Sequence, residues 1–180
     1  TVGPYWMLRG IREALFIDLV GVRWQPFGKI ASFVFIIPLI LIYSKLIDLV
    51  QKEKLFSVIY TLYILVFLTI AFFIAYPSYH TTLPSIKSIA LFSHIPGDLL
   101  GWFSYIVIES FGALAPALFW SFVASQTKTD SAKRGYGMIL SITQIGTMSG
   151  SLAVAYFSQR LGLPIMIMIA CAGIALVPLI

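Results

Sequence analysis

Charge is what this chain has least of. Only 11% of its 180 residues are charged, against 59% that are hydrophobic. A soluble domain carries about 25% charged residues, so the deficit excludes a globule clothed in polar side chains. Cysteine is almost missing too. The lone Cys171 sits in an apolar run, which rules out a disulfide framework and a thiolate metal site. Histidine stops at His80 and His94, neither flanked by Cys, Asp or Glu, so both read as surface or interface residues and no metal ligand set is expected. Short segments of alternating polarity, the mark of a membrane barrel, do not occur. A P-loop, a Ser-x-x-Lys pair and a nucleophile elbow are likewise lacking. Nothing here reads as an enzyme, and no cofactor is called for.

What is present is long apolar sequence. Mean hydropathy is +0.96, and runs of about 20 apolar residues point to membrane-crossing helices. The clearest spans are 30–50, 56–76, 98–124, 136–158 and 162–180, with a sixth, partial and charged, at 1–20. The fold class expected is therefore all-α transmembrane, with the lipid bilayer as partner. The chain starts without Met and stops inside Val177-Pro178-Leu179-Ile180, so it is read as part of something longer, beginning part-way through a helix. The stretch 77–97, broken by Pro77, Pro84 and Pro96, reads as a loop with a short interfacial helix. Trp6, Trp24, Trp102 and Trp120 fall near span ends, where amphipathic rings anchor helices at the interface.

The net charge of +5 reports orientation rather than nucleic-acid binding. Lys45, Lys52, Lys54, Lys128, Lys133 and Arg134 fall in two short loops on one side, with Arg23, Lys29, Lys87 and Arg160 spread thinly on the other. The positive-inside rule puts loops 45–54 and 126–134 in the cytoplasm.

Charged residues inside spans are costly and face a bundle interior or a watery cavity, so they are the informative ones. Arg9, Arg12 and Glu13 cluster in YWMLRGIREALF, where helical spacings of three and four make Arg9 a neighbour of both others. Paired guanidiniums suit bidentate recognition of phosphate or carboxylate; snorkelling at an interface is the competing reading. Glu109 lies mid-span in GWFSYIVIESFGALAPALFW with no basic residue nearby in sequence. It needs a cation from another helix, and Arg12 or Arg9 is the natural candidate. Small residues follow it, Gly112, Ala113 and Ala115, then Pro116. The span GYGMILSITQIGTMSGSLAVAYF is unusually polar and carries Gly146-x-x-x-Gly150, a helix-packing signature; Gln144 on it is a candidate cavity residue.

Several separated segments resemble one known family. The run LFWSFVASQTKTDSAKRGY, Leu118 to Tyr136, is similar to a signature of the ATP/ADP antiporters of plastids and obligate intracellular bacteria, L-F-W-G-F-A-N-Q-I-T followed by A-K-R-F-Y. Leu118, Phe119, Trp120, Phe122, Thr127, Ala132, Lys133, Arg134 and Tyr136 match without a gap. Upstream, Tyr5, Leu8, Arg9 and Leu15 match Y-x-x-L-R-D-x-K-D-x-L. PFGK at 26–29, IYSKL at 42–46, EKLF at 53–56, and Glu109 with Gly112 follow in order. Arg12-Glu13 replaces a Lys-Asp pair, Ala124 an Asn, Phe111 a Trp, and Gly135 a Phe.

The resemblance implies a divergent member with a major-facilitator-like architecture of about twelve spans, of which residues 1–180 supply the N-terminal six-helix half-bundle. It implies exchange of nucleotides, ATP and ADP, by alternating access, with the C-terminal half as partner. The membrane expected is the bacterial inner membrane, with the plastid inner envelope as the other setting. Arg12, at the family's essential Lys, and Glu109 are the expected substrate-binding residues, with Arg9 and Lys29 next and Glu13 and Gln144 as gating or cavity residues. Two alternatives stay open. One is proton-coupled transport of another organic anion or a nucleoside-like molecule, with Glu109 as proton carrier. The other is a non-transporting scaffold that kept the fold.

Overall fold

A computed structural model describes residues 2–49, 52–76, 97–126 and 129–176. Six α-helices follow in chain order: α1 (Val2–Leu19), α2 (Gln25–Leu49), α3 (Lys52–Ala75), α4 (Leu99–Gln126), α5 (Thr129–Leu161) and α6 (Leu163–Ala175), with one 3-10 turn (Val22–Trp24) between the first two. No strand occurs among the described residues. The segment 77–96, with His80, His94 and Lys87, lies outside them, as do Thr127 and Lys128.

Among the described residues, three helices are long and apolar enough to cross a membrane: Val22–Lys45, Leu55–Ala75 and Leu99–Ser121. Their outward surfaces fit lipid rather than water. On α2, Phe33, Val34, Phe35, Ile37, Leu41 and Ile42 are all exposed, a patch far beyond what a soluble monomer shows. In a bilayer the same surface is solvated. Three such helices in one chain are the pattern of a multi-pass membrane protein.

Helix α1 is the hub. Met7, Leu8, Ile11, Arg12, Leu15 and Phe16 are buried along one side of it, recurring one turn apart as a helical face does. Helices α4, α5 and α6 all pack directly on it, and α3 closes the core against α4 and α6. Leu8 and Ile11 join Phe67 and Ile70 of α3, Ile108 and Phe111 of α4, and Met166 and Ile167 of α6 in one cluster.

Glycines let these helices approach. Gly3 of α1 lies against the backbone of Gly146 and Gly150, and a Cβ at Gly146 would meet the Gly3 nitrogen at 3.3 Å. The Gly146-x-x-x-Gly150 pair is therefore a packing surface, with α1 as its partner. One further turn along, Gly10 faces Val154. Gly112 of α4 receives the Tyr5 ring, and Gly173 of α6 receives Pro4.

Four hydroxyls of α5, on Ser141, Thr147, Ser149 and Ser151, bond within their own helix. Ser141, Thr147 and Ser151 donate to the carbonyls of Gly137, Thr143 and Thr147 at 2.9, 2.9 and 3.0 Å. Back-bonding of this kind lets hydroxyls sit in an apolar medium without an outside partner. Helix α5 also starts at Thr129, taking in residues that read as loop in the sequence. Thr129 to Arg134 hold charges but no helix breaker, so the helix continues past the apolar stretch. It ends at Gly162, whose φ of 80° is open to glycine at little cost. Asp98 opens α4 as an N-cap, accepting from the Leu100 amide at 3.0 Å.

At Gly112 a Cβ would fall 2.5 Å from the Tyr5 hydroxyl, whereas at Gly137 nothing lies within 4 Å. Gly112→Val is expected to cost about 1–3 kcal/mol by overpacking and to lower the detergent melting temperature of the full-length protein. Gly137→Ala is expected to leave it unchanged or raise it. Equal melting temperatures for the two variants would remove the close α1–α4 contact.

Candidate functional site

Arg12 is the one fully buried charged residue among those described, with its side chain 4% exposed. Its position in the buried stripe of α1 forces it inward between α1 and α4. Two residues of α4, one turn apart, receive it. The guanidinium lies over the Tyr105 ring, 4.5 Å from the centroid, and Nη1 forms an ion pair with the Glu109 carboxylate. On α1 itself, Nη2 donates to Glu13 Oε1 at 3.2 Å. A cation with no route to water needs this compensation, since an unpaired buried charge costs several kcal/mol.

The partners are less enclosed than the cation. The Glu109 and Glu13 side chains are 38% and 45% exposed. The arrangement is thus a hidden guanidinium held by carboxylates that open outward. Its hydrogen bonding is also incomplete: Arg12 Nε is buried with no hydrogen-bond partner, as are the Tyr60 and Tyr105 hydroxyls. Arginine offers five N–H donors in a planar fork, and here some of them remain unused. Aromatic side chains wall the pair. Phe16 packs on Tyr105 at 4.7 Å between centroids and edge-on to Trp102 at 5.3 Å. Deeper in, Tyr63 shares a 2.9 Å hydrogen bond with Ser110, the neighbour of Glu109.

The sequence candidates separate into groups. Arg12, Glu13 and Glu109 come together as one cluster. Arg9 does not join it; it lies exposed on α1, over the Trp6 ring at 4.7 Å. Lys29 is exposed on α2. Gln144 is exposed on α5, two residues from Gly146 and so on the side turned away from α1. Tyr105 escaped the sequence reading. Its signal was available, because it stands four residues before Glu109, on the same helical face. No grouping of three or more potential metal ligands occurs among the described residues.

A model of the TLC ATP/ADP transporter family matches residues 3–173, a stretch that includes every part of this cluster. The chain belongs to that family. Among curated proteins, it is similar to ADP,ATP carrier protein 1 of Rickettsia bellii (strain RML369-C), with 29% identity over 167 residues. The match covers 85% of this chain and 33% of the relative, so the TLC chain spans about a third of the length of that curated relative. No solved structure matches it.

Neutralising either partner leaves the other uncompensated, so the TLC pair is open to a double-mutant cycle. Arg12→Met and Glu109→Gln should each destabilise the protein, and the double variant should lose less than the two losses together. The expected coupling is about 0.5–3 kcal/mol, read from detergent melting of the full-length protein. Strict additivity would show that the two side chains do not interact.

Proposed function

We propose that the full-length protein exchanges ATP and ADP across a membrane by alternating access, with Arg12 as the cation that receives the substrate's phosphates. The single observation behind this is the buried Arg12, which has unused donors, within a family whose description names ATP/ADP transport. The similar Rickettsia bellii protein is itself named an ADP,ATP carrier. In this reading residues 1–180 form the N-terminal, major-facilitator-like six-helix half-bundle. A C-terminal half completes the transporter, the bilayer surrounds both, and the setting is the bacterial inner membrane. Transporters built this way bind near the midplane, between halves that rock against each other.

The chemistry follows from charge compensation. Arg12 has to be neutralised whether or not substrate is present. Glu109 and Glu13 do this in the empty site, and a phosphate does it in the loaded one, because guanidinium suits both oxyanions in bidentate geometry. The carboxylates, half open to the outside, are free to yield when a phosphate arrives. Their repulsion then limits how tightly the substrate is held, which suits a site that has to release its cargo. Lys29 and Arg9 add positive charge along the route. No bond is broken, so no hydrolytic group is required.

The experiment is uptake of labelled ATP by proteoliposomes containing the full-length protein. Uptake is expected to require ADP inside, and to fall by about tenfold or more in Arg12→Ala, where a charge-assisted bidentate contact is lost. Uptake driven by a proton gradient and indifferent to internal nucleotide would replace exchange with proton coupling through Glu109. A folded wild-type protein that takes up no nucleotide would end the transport reading.

A further inference from the structure

One strip of α1 is covered by no other described helix. Gly3 and Gly10 face α5, Pro4 faces α6, and Tyr5, Arg12 and Phe16 face α4. What remains is the line Trp6, Arg9, Glu13 and Ile17, spaced at three and four residues as one helical face. Arg9 and Ile17 on it are exposed, and the Glu13 side chain is 45% exposed. A strip carrying both a guanidinium and a carboxylate does not face lipid, where each charge costs about 2.5–3.5 kcal/mol at the helix centre. It faces water or the substrate route, on the same side as the outward-opening carboxylates of the Arg12 cluster.

On this strip Arg9 packs over Trp6. Its Cζ lies 4.7 Å from the Trp6 centroid, while Tyr5 braces the indole at 6.0 Å and 65°. A guanidinium is a planar group, and the Arg9 side chain as a whole is exposed. Such planes stack nucleobases, as aromatic side chains do. Arg9 is three residues from Arg12, about 4.5 Å along the axis at the α-helical rise, with Trp6 one turn further on. A nucleotide is elongated in the same sense, with its base at one end and its phosphates at the other.

We propose that the Trp6–Arg9 stack is the nucleobase subsite of this transporter, the base lying on the Arg9 plane while Arg12 takes the phosphates. This rests on the nucleotide-exchange reading above and adds a division of labour to it: Arg12 gives affinity for any polyphosphate, and Trp6–Arg9 gives preference for one that carries a base. Trp6 acts on the substrate through Arg9 and is a positioning residue.

The test compares two inhibitors of labelled ATP uptake in proteoliposomes of the full-length protein: unlabelled ATP, and inorganic triphosphate, which has no base. In Trp6→Ala and in Arg9→Lys, which keeps the charge but loses the plane, the ATP concentration for half-inhibition is expected to rise about tenfold, as loss of one stacked base predicts. The triphosphate concentration is expected to stay at its wild-type value, and Trp6→Phe, which keeps an aromatic surface under Arg9, to recover most of the ATP preference. Equal weakening towards both inhibitors, or no change towards either, would overturn the base subsite while leaving nucleotide exchange intact. Absence of uptake by the wild-type protein, measured before any variant is compared, would remove the exchange reading and the subsite with it.

Discussion

A guanidinium that cannot reach water has to be answered by negative charge, and most of this structure follows from that requirement at Arg12. The residue faces inward because of its place in the buried stripe of α1. Its ion pair with Glu109 ties α1 to α4, and Tyr105, one turn away on α4, closes over the cation. Replacing Arg12 and Glu109 together by apolar residues of similar volume would give a simpler and no less stable contact, since buried ion pairs seldom add net stability. Net stability is therefore not what an ion pair at this crossing supplies.

Glycine makes this geometry possible. A hub helix touched by three neighbours leaves little room for side chains at every crossing. Gly3 against Gly146 and Gly150, Gly112 under Tyr5, and Gly173 under Pro4 bring backbones together at those points. The bulk is displaced elsewhere, into the aromatic and branched cluster formed by Phe67, Ile108, Phe111 and Ile167. Close approach on three sides of α1 is also what leaves the fourth side open, so the packing of small residues and the exposure of Arg9 and Glu13 have one cause.

Much of this was legible in the sequence, for identifiable reasons. Glu109 announced that it needed a distant cation because a carboxylate amid apolar residues has no local means of neutralisation, and Arg12 was one of two candidates named. The structure decides between them by helical phase: Arg12 falls in the buried stripe and Arg9 outside it. Gly146-x-x-x-Gly150 was readable as a packing face, but its partner Gly3 was not, since a single glycine near a helix start carries no periodic signal. Trp6 reads as an interfacial anchor from its place near a span end, and that place says nothing about which neighbours its ring meets, here Arg9 and Tyr5. The polarity of α5 is largely hydroxyls that turn back on their own carbonyls. Gln144, the cavity candidate on this helix, sits on the side away from α1. Its helix begins earlier than hydropathy suggested, because hydropathy marks where lipid ends and not where hydrogen bonding stops.

The charge pairing across α1 and α4 also bears on how the protein is made. Helix α1 leaves the ribosome well before α4, yet it carries Arg9, Arg12, Glu13 and Asp18 within about two and a half turns, and each such charge adds about 2.5–3.5 kcal/mol to the free energy of entering the bilayer alone. Glu109 emerges about a hundred residues later. Helix α1 is thus a poor insertion signal, and the apolar helices α2 and α3 are strong ones. Biogenesis of this membrane protein has to hold α1 at the membrane surface or beside the insertion machinery until α4 arrives, so that the two helices are buried as a neutral pair.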